Sequence, residues 1–253
     1  VSNHTSWLDV PVLGTLLPSV FVAKEDIQHW PIMGLVSKIG RTIFVSRQRS
    51  TTGHERDFML KRMALGDNLV LFPEGTSSDG SRVLPFMSAF FSIAKLSIPK
   101  TKLSSLSTHE VPSSLPEITP LIQPVSVVYD RLDGLPIGRL RRPVFSWYGN
   151  MDLGPHVWQL LQKRESRATV ILHSPLDPDL FPSRKALAQA TWASIVKGTA
   201  ELRQNHPPHI QPGQFHATTL PMAFLPAYAR KFDSFLEKIF TFLFISSRNS
   251  HDD

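Results

Sequence analysis

The sequence contains no cysteine, and this absence narrows the chemistry open to the protein. A chain without thiols forms no disulfide bonds, offers no thiolate nucleophile and supplies no cysteine ligand to a metal ion. The Gly-x-Ser-x-Gly pattern of a serine nucleophile elbow is absent as well. We therefore expect any group transfer to proceed directly between two bound substrates, without a thiol or serine intermediate.

Long apolar runs are also lacking. No stretch approaches the roughly 18 uninterrupted apolar residues of a membrane-spanning helix, and no signal peptide is present. The chain begins at Val1 and enters a motif directly. We therefore expect residues upstream of this sequence, with any N-terminal anchor that they carry.

Basic residues outnumber acidic ones, with 27 Lys and Arg against 21 Asp and Glu, for a net charge of +6. This balance favours an anionic partner such as a phosphorylated metabolite, a nucleic acid, an anionic lipid or an acidic carrier protein. The basic residues are scattered, and no helix-turn-helix, zinc-finger or RNA-binding signature occurs among them. Nucleic acid is therefore not expected as a partner.

Strand-like runs alternate with helical patterns in the first part of the chain. The predicted strands lie at 20–24, 42–47 and 68–72, and the predicted helices at 10–17, 31–40 and 54–66. Such alternation predicts an α/β fold, with a layered mixed β-sheet flanked by helices and a site at the strand ends.

The rest of the chain continues this pattern less regularly. Residues 97–120 are rich in Ser, Thr and Pro and predict a loop, and residues 205–221 predict irregular structure. Further strands are predicted at 121–129, 142–149 and 168–174, and a helix at 184–204. We expect one domain over 1–205, followed by a Pro/His-rich segment and a C-terminal amphipathic helix within 206–253.

His4 and Asp9 stand close together in the first ten residues, separated by four others. Imidazole has a pKa near 6.5 in solution and suits a general base, and a carboxylate on its other nitrogen orients it and stabilises the imidazolium. The spacing alone does not establish this chemistry. Asp9 also fits a helix N-cap before Pro11, and His4 also fits a polar loop residue.

Three motifs, each beside a predicted strand end, give this pair its context: NHTSWLD at 3–9, KEDIQHWPIMGLVSKIGRTIFVSR at 24–47, and VLFPEGTSSDG at 70–80. In this order they resemble the lysophospholipid acyltransferase family, typified by 1-acylglycerol-3-phosphate acyltransferase. The positions that match the family motifs are His4 and Asp9; Lys24, Pro31, Gly34, Gly40, Phe44 and Arg47; Phe72 to Thr76; and Pro124.

The resemblance implies an O-acyltransferase of the glycerolipid acyltransferase-like fold. Its substrates would be acyl-carrier protein or acyl-coenzyme A as donor, and a lysophospholipid such as 1-acylglycerol 3-phosphate as acceptor, in phospholipid biosynthesis. His4 would be the base and Asp9 its orienting carboxylate, with direct transfer in a ternary complex. We expect no cofactor and no metal, since His206, His209 and His216 lack a metal-ligand pattern.

Acceptor binding is assigned to the second and third motifs. Arg41 and Arg47 flank a predicted strand, where guanidinium groups grip a phosphate bidentately; solvated surface arginines are the alternative. The family match adds Lys24. In the third motif Glu74 is either a hydrogen-bonding group for the acceptor's glycerol oxygens or a structural turn carboxylate.

Two further features concern the anion at this site. The tight turn at Gly75 and Thr76 offers backbone amides to an anion or a developing oxyanion. Many family members carry Arg after the Glu-Gly-Thr triplet, whereas this chain has Ser77. Either Arg82 replaces that cation, or the acceptor is not a simple lysophosphatidic acid. The first rival hypothesis is thus an O-acyltransferase for a phosphate-free lysolipid such as lyso-ornithine lipid. The second, of a different class, is a catalytically silent membrane-surface protein of the same fold.

Apolar residues recur at three- and four-residue intervals near the C-terminus, beside Lys231 and Lys238: Phe232, Phe235, Leu236, Ile239, Phe240 and Leu243. This stripe predicts an amphipathic helix that lies on a membrane surface, with packing on the domain's own core as the alternative. We expect membrane association, at the cytoplasmic face of the inner membrane if the protein is bacterial.

Overall fold

The computed structural model describes residues 1–17, 19–24, 42–45, 52–94, 120–204 and 215–218. The predicted helix at 31–40 and the predicted C-terminal helix lie outside these residues, as does nearly all of the predicted loop at 97–120. Among the described residues, no helix combines the length and apolarity that crossing a membrane requires.

The first half of the chain forms a parallel three-stranded sheet, as the alternating pattern predicts. Strands β1 (Ser19–Lys24), β2 (Ile43–Val45) and β3 (Asn68–Val70) pair in the order β2-β1-β3. Helix α1 (Asp9–Leu16) precedes β1, and helix α2 (Thr52–Ala64) lies between β2 and β3. Parallel strands need such crossover connections, which bring their carboxyl ends to one edge of the sheet.

The second half builds an antiparallel sheet in the order β5-β4-β6-β7. Its strands are β4 (Val125–Leu132), β5 (Leu135–Pro136), β6 (Ser166–Leu172) and β7 (Phe215–Thr218). The prediction of irregular structure over 205–221 is therefore wrong for residues 215–218, which form β7 and pair with β6. Local composition misses this strand because a tertiary partner stabilises it.

The predicted strand at 142–149 is also wrong. Residues Arg139–Val144 form a 3-10 helix, and helix α3 (Leu153–Leu161) follows. The Phe145 amide donates to the Arg142 carbonyl at 3.2 Å, and the Ser146 amide to the Pro143 carbonyl at 3.1 Å. Pro143 has no amide proton for a strand ladder, so local turn bonds prevail over the apolar pattern.

Residues Val1–Asn3 join the two sheets. The Ser2 amide donates to the Leu71 carbonyl beyond β3 at 3.0 Å, and the Val125 amide of β4 donates to the Val1 carbonyl at 2.8 Å. The buried Asn3 side chain accepts from the Val127 amide at 2.8 Å and donates to the Val127 carbonyl at 2.9 Å. These bonds fix the segment that leads into His4.

Strand β4 lies at the centre and is covered on both faces. Val127 and Tyr129 pack in the core beneath α1, which contributes Leu13. On the opposite face Val128 clusters with Leu202 of helix α4 (Arg184–Arg203), the helix predicted at 184–204. The fold thus combines helices with one parallel and one antiparallel sheet, which confirms the α/β class.

Asn3→Ala tests the junction of the two sheets. This variant leaves the buried amide and carbonyl of Val127 without partners, so we expect the free energy of unfolding to fall by about 2–5 kcal/mol. The exposed Asn150 provides the matched control, since Asn150→Ala should change stability by less than about 0.5 kcal/mol. Denaturant unfolding measures both variants, and equal stabilities would contradict the role given to Asn3.

Candidate active site

His4 and Asp9 meet at the turn that leads into α1. The His4 Nδ1 lies 2.9 Å from the Asp9 Oδ2, with the imidazole 22% exposed and the carboxylate fully buried. An ionised carboxylate only accepts hydrogen bonds, so the network assigns the proton to Nδ1. The Nε2 of His4 is then an acceptor, and it has no hydrogen-bond partner among the described residues.

Three further donors hold the Asp9 carboxylate. The Thr5 and Ser6 amides donate to Oδ2 at 2.7 and 3.0 Å, and the Tyr129 hydroxyl donates to Oδ1 at 2.7 Å. Asp9 is the first residue of α1, and its oxygens accept from residues that precede the helix. The N-cap alternative for Asp9 is therefore wrong, because Leu8 occupies that position.

Tyr129 reaches Asp9 from β4. Its ring is buried and stacks on Phe145 with the centroids 5.0 Å apart. Burial raises the pKa of Tyr129 well above its ordinary value, and the neighbouring Asp9 charge raises it further. The phenol therefore stays protonated and acts as a donor to Asp9 at any pH near neutrality.

The third motif holds His4 from the other side. Phe72 stacks on the imidazole, with ring centroids 4.2 Å apart. The His4 amide donates to the Glu74 Oε1 at 2.8 Å, and the Ser78 amide donates to the His4 carbonyl at 3.0 Å. The motif that follows β3 thus fixes both the ring plane and the backbone of His4.

Glu74 is buried and bridges two segments. Its Oε2 accepts from the Leu84 amide at 2.8 Å, so each carboxyl oxygen has a backbone donor. Burial raises the pKa of Glu74 from 4.5 to about 7, against the two amides, which favour the carboxylate. These contacts show a structural turn carboxylate; the predicted bonds from Glu74 to the acceptor's glycerol oxygens stay a prediction.

Gly75 makes the turn after Glu74. Its φ of +69° lies in the left-handed region, and a Cβ there would clash with the Met87 Cε. A larger residue would therefore require both backbone strain and movement of Met87. The amides of Thr76 and Ser77, which follow, have no hydrogen-bond acceptor within the described part of the chain.

The structure brings together His4, Asp9, Glu74, Gly75 and the adjoining exposed Thr76, but it does not place every predicted site residue. Lys24 ends β1, while Arg41 and Arg47 lie outside the described residues. Arg82 is exposed. The substrate-binding roles of these four residues stay predictions.

Three residues that shape the site are not among the predicted site residues: Asn3, Tyr129 and Phe72 as a stacking partner. Asn3 precedes His4 and gave a direct signal, since it is part of the first motif. No signal in the sequence pointed to Tyr129. Because β4 is buried on both faces, its residue pattern does not indicate which side chains turn toward α1.

No group of three or more His, Asp or Glu side chains in the described ranges has an arrangement suited to a metal ion. His173, at the end of β6, instead lies 2.8 Å from the Ser126 hydroxyl through its Nε2.

Comparison with known proteins supplies the family. A sequence profile described as Acyltransferase matches residues 1–127, half of the chain. The chain belongs to this acyltransferase family. Its relatives in the family are named as acyltransferases of lysolipids.

The relatives carry two kinds of name. The chain is 36% identical over 190 residues to a lyso-ornithine lipid O-acyltransferase of Brucella abortus, covering 75% of this chain and 66% of that protein. A lyso-ornithine lipid O-acyltransferase of Rhizobium meliloti is 34% identical over 197 residues, covering 78% and 63%. A 1-acyl-sn-glycerol-3-phosphate acyltransferase of Neisseria gonorrhoeae is 34% identical over 94 residues, covering 37% of each chain. The chain thus spans slightly less than two thirds of the first two relatives.

A solved structure shares the fold. The crystal structure of the 1-acyl-sn-glycerophosphate (LPA) acyltransferase PlsC from Thermotoga maritima matches with a TM-score of 0.50 and 20% identity, covering 82% of this chain and 66% of that one. At this identity the match shows the architecture alone.

Glu74→Gln tests the burial of the Glu74 carboxyl. The native pKa of about 7 lies above the ordinary 4.5, so the folded protein holds this proton more tightly than the unfolded chain. The resulting stabilisation is fully present below pH 4.5 and is lost as the pH rises through 7. The stability of wild type relative to Glu74→Gln should therefore fall by about 3 kcal/mol between pH 4.5 and 7.5.

Denaturant unfolding across this pH range measures the effect. Glu165→Gln is the control, since it makes the same substitution at an exposed carboxyl. A Glu74→Gln difference that changes with pH no more than the control's does would contradict the assignment.

Proposed function

We propose that this protein is an O-acyltransferase that moves a fatty acyl chain from a thioester donor, acyl-carrier protein or acyl-coenzyme A, to the free hydroxyl of a lysolipid. The His4–Asp9 pair carries this proposal, because its imidazole is partly exposed while its carboxylate is buried. An imidazole whose Nδ1 is held by a carboxylate and whose ring is partly open to solvent fits proton abstraction from a substrate hydroxyl.

The reaction needs one proton carrier. The acceptor hydroxyl gives its proton to the His4 Nε2 as its oxygen attacks the thioester carbonyl and forms the new C–O bond. The tetrahedral intermediate collapses with cleavage of the C–S bond, and the imidazolium returns the proton to the leaving sulfur. Asp9 stabilises the imidazolium through Nδ1 without taking the proton itself.

The developing oxyanion also needs donors. We assign this role to the amides of Thr76 and Ser77, because they follow the Gly75 turn on the motif that stacks against His4 and have no acceptor among the described residues. Backbone amides held in a fixed turn stabilise such charge without reorganising. Lys24, Arg41, Arg47 and Arg82 remain the proposed cations for an acidic group on the acceptor.

The comparisons favour lyso-ornithine lipid as the acceptor over 1-acylglycerol 3-phosphate. Relatives with the former name align over 75% and 78% of this chain, and the relative with the latter name over 37%. Ser77 supports the same choice, since the family's phosphate-binding arginine is missing there. A lysophospholipid acceptor such as 1-acylglycerol 3-phosphate is the second candidate, supported by the shared motifs.

Both acceptors are membrane lipids, so we also propose action at a membrane surface, on the cytoplasmic face of the inner membrane if the protein is bacterial. The predicted amphipathic helix within residues 222–253 would contribute to this association.

His4→Ala and Asp9→Asn test the mechanism. Each should reduce turnover by about 10²–10⁴-fold, with the acceptor KM nearly unchanged, because the lost interaction belongs to proton transfer. Asp179→Asn is the control, since Asp179 is exposed and is not one of the site residues. Turnover by either site variant at the wild-type rate would contradict the mechanism.

The same assay tests the acceptor. Each donor is incubated with lyso-ornithine lipid and with 1-acylglycerol 3-phosphate, and the products are identified by mass. We expect acylated product from lyso-ornithine lipid at the higher kcat/KM. A folded protein without turnover on any pair would instead support the catalytically silent alternative.

A further inference from the structure

Residues 138–164, between β5 and β6, expose several large apolar side chains. Leu140 in the 3-10 helix is 96% exposed, the most exposed large apolar side chain in the described part of the chain. The other exposed apolar side chains of this segment are Tyr148, Met151, Trp158 and Leu161. Trp158 and Leu161 are three residues apart on α3, on adjacent turns of the same helix face.

Hydrogen bonds hold this segment in one arrangement. The His156 Nε2 of α3 lies 3.2 Å from the Val144 carbonyl and donates to it, while the Trp147 indole donates to the Met151 carbonyl at 2.9 Å. The buried side chains of α3, His156 and Leu160, lie on the face opposite Trp158. The exposed apolar groups are therefore displayed by an ordered scaffold.

The segment is also basic. It carries five basic residues, Arg139, Arg141, Arg142, Lys163 and Arg164, and one acidic residue, Asp152. No carboxylate of the described residues forms an ion pair with Arg139 or Arg141, which stand on either side of Leu140 and are exposed. In an anionic bilayer, the arginines of such a segment can contact the headgroups while its aliphatic and aromatic side chains contact the apolar layer beneath.

Two hydrogen bonds connect this surface to the candidate active site. The Trp147 amide donates to the carbonyl of Thr5, the residue after His4, at 3.0 Å. The Trp7 indole donates to the His156 Nδ1 at 3.1 Å. The turn that presents His4 is therefore bonded directly to the segment that carries the exposed groups.

We propose that residues 138–164 form a docking surface for an anionic lipid bilayer, with Leu140 inserted below the headgroups and Arg139 and Arg141 at headgroup level. This surface is distinct from the C-terminal stripe. Its purpose rests on the proposed function, since docking here brings His4 to the layer in which a lysolipid acceptor resides. Binding itself requires no turnover and is tested without an acyl donor.

The absence of cysteine makes a site-specific test direct. Leu140→Cys carries an environment-sensitive fluorophore as the only thiol adduct in the full chain, and Leu180→Cys carries it in the matched control. Leu180 is 79% exposed and lies outside the segment, in the 3-10 helix Pro178–Leu180. With phosphatidylcholine–phosphatidylglycerol vesicles, the label at 140 should shift to the blue and the label at 180 should not.

Co-sedimentation with the same vesicles measures affinity. Leu140→Glu should weaken binding by about tenfold or more, because a leucine that inserts into the bilayer is replaced by a charge that anionic lipid repels. Joint Arg139→Gln and Arg141→Gln substitution should weaken it by about fivefold per residue at low salt, with the difference shrinking at high salt. Leu180→Glu should bind as wild type does.

Three outcomes would overturn the proposal. The first is a label at 140 that vesicles leave unchanged. The second is a label that is already in an apolar environment without vesicles. If sedimentation velocity then shows a monomer, the chain's own C-terminal segment covers the surface; if it shows dimers, a second copy does. The third is equal vesicle binding by Leu140→Glu and Leu180→Glu.

Discussion

The burial of the Asp9 carboxylate is the constraint on which the site depends. A charge removed from water costs several kcal/mol unless hydrogen bonds replace its hydration. Asp9 receives four such bonds, from the His4 ring, the Thr5 and Ser6 amides and the Tyr129 hydroxyl. These donors come from the opening turn and from the central strand of the second sheet. Satisfying one carboxylate therefore fixes the turn, its helix and the imidazole relative to β4.

A second buried carboxylate completes this arrangement from the first sheet. Glu74 accepts from the His4 backbone amide and from Leu84, while Phe72 stacks on the imidazole. The first and third motifs are about seventy residues apart, yet they hold the same residue, one by its ring nitrogen and the other by its backbone. The two motifs also exchange backbone hydrogen bonds, since the His4 amide donates to Glu74 and the His4 carbonyl accepts from Ser78. These bonds give a physical reason why the Phe-Pro-Glu-Gly-Thr run accompanies the His-x4-Asp pair.

Local patterns predicted the parallel half of the fold well, because hydrophobic period and Gly or Pro punctuation are local properties. They identified β1, β3, α1 and the long helix α4. They failed where a distant partner or a missing donor decides the structure, as at β7, which exists through β6, and at Pro143, where a 3-10 helix replaces a strand. For the site, motif order pointed to His4, Asp9 and Glu74. It could not reveal that Tyr129 completes the Asp9 shell, since an apolar strand covered on both faces carries no sign of direction.

Asp9 holds the neutral imidazole of His4 with its proton on Nδ1, so that Nε2 is free to act as the base. Nitrogen NMR of protein labelled in histidine side chains reports the tautomer directly, with the His4 signals assigned by their loss in a His4 variant. We expect neutral His4 to be protonated at Nδ1 in the wild type and to lose this preference when Asp9 is replaced by asparagine. A neutral His4 that carries its proton mainly on Nε2 in the wild type would contradict the role given to Asp9.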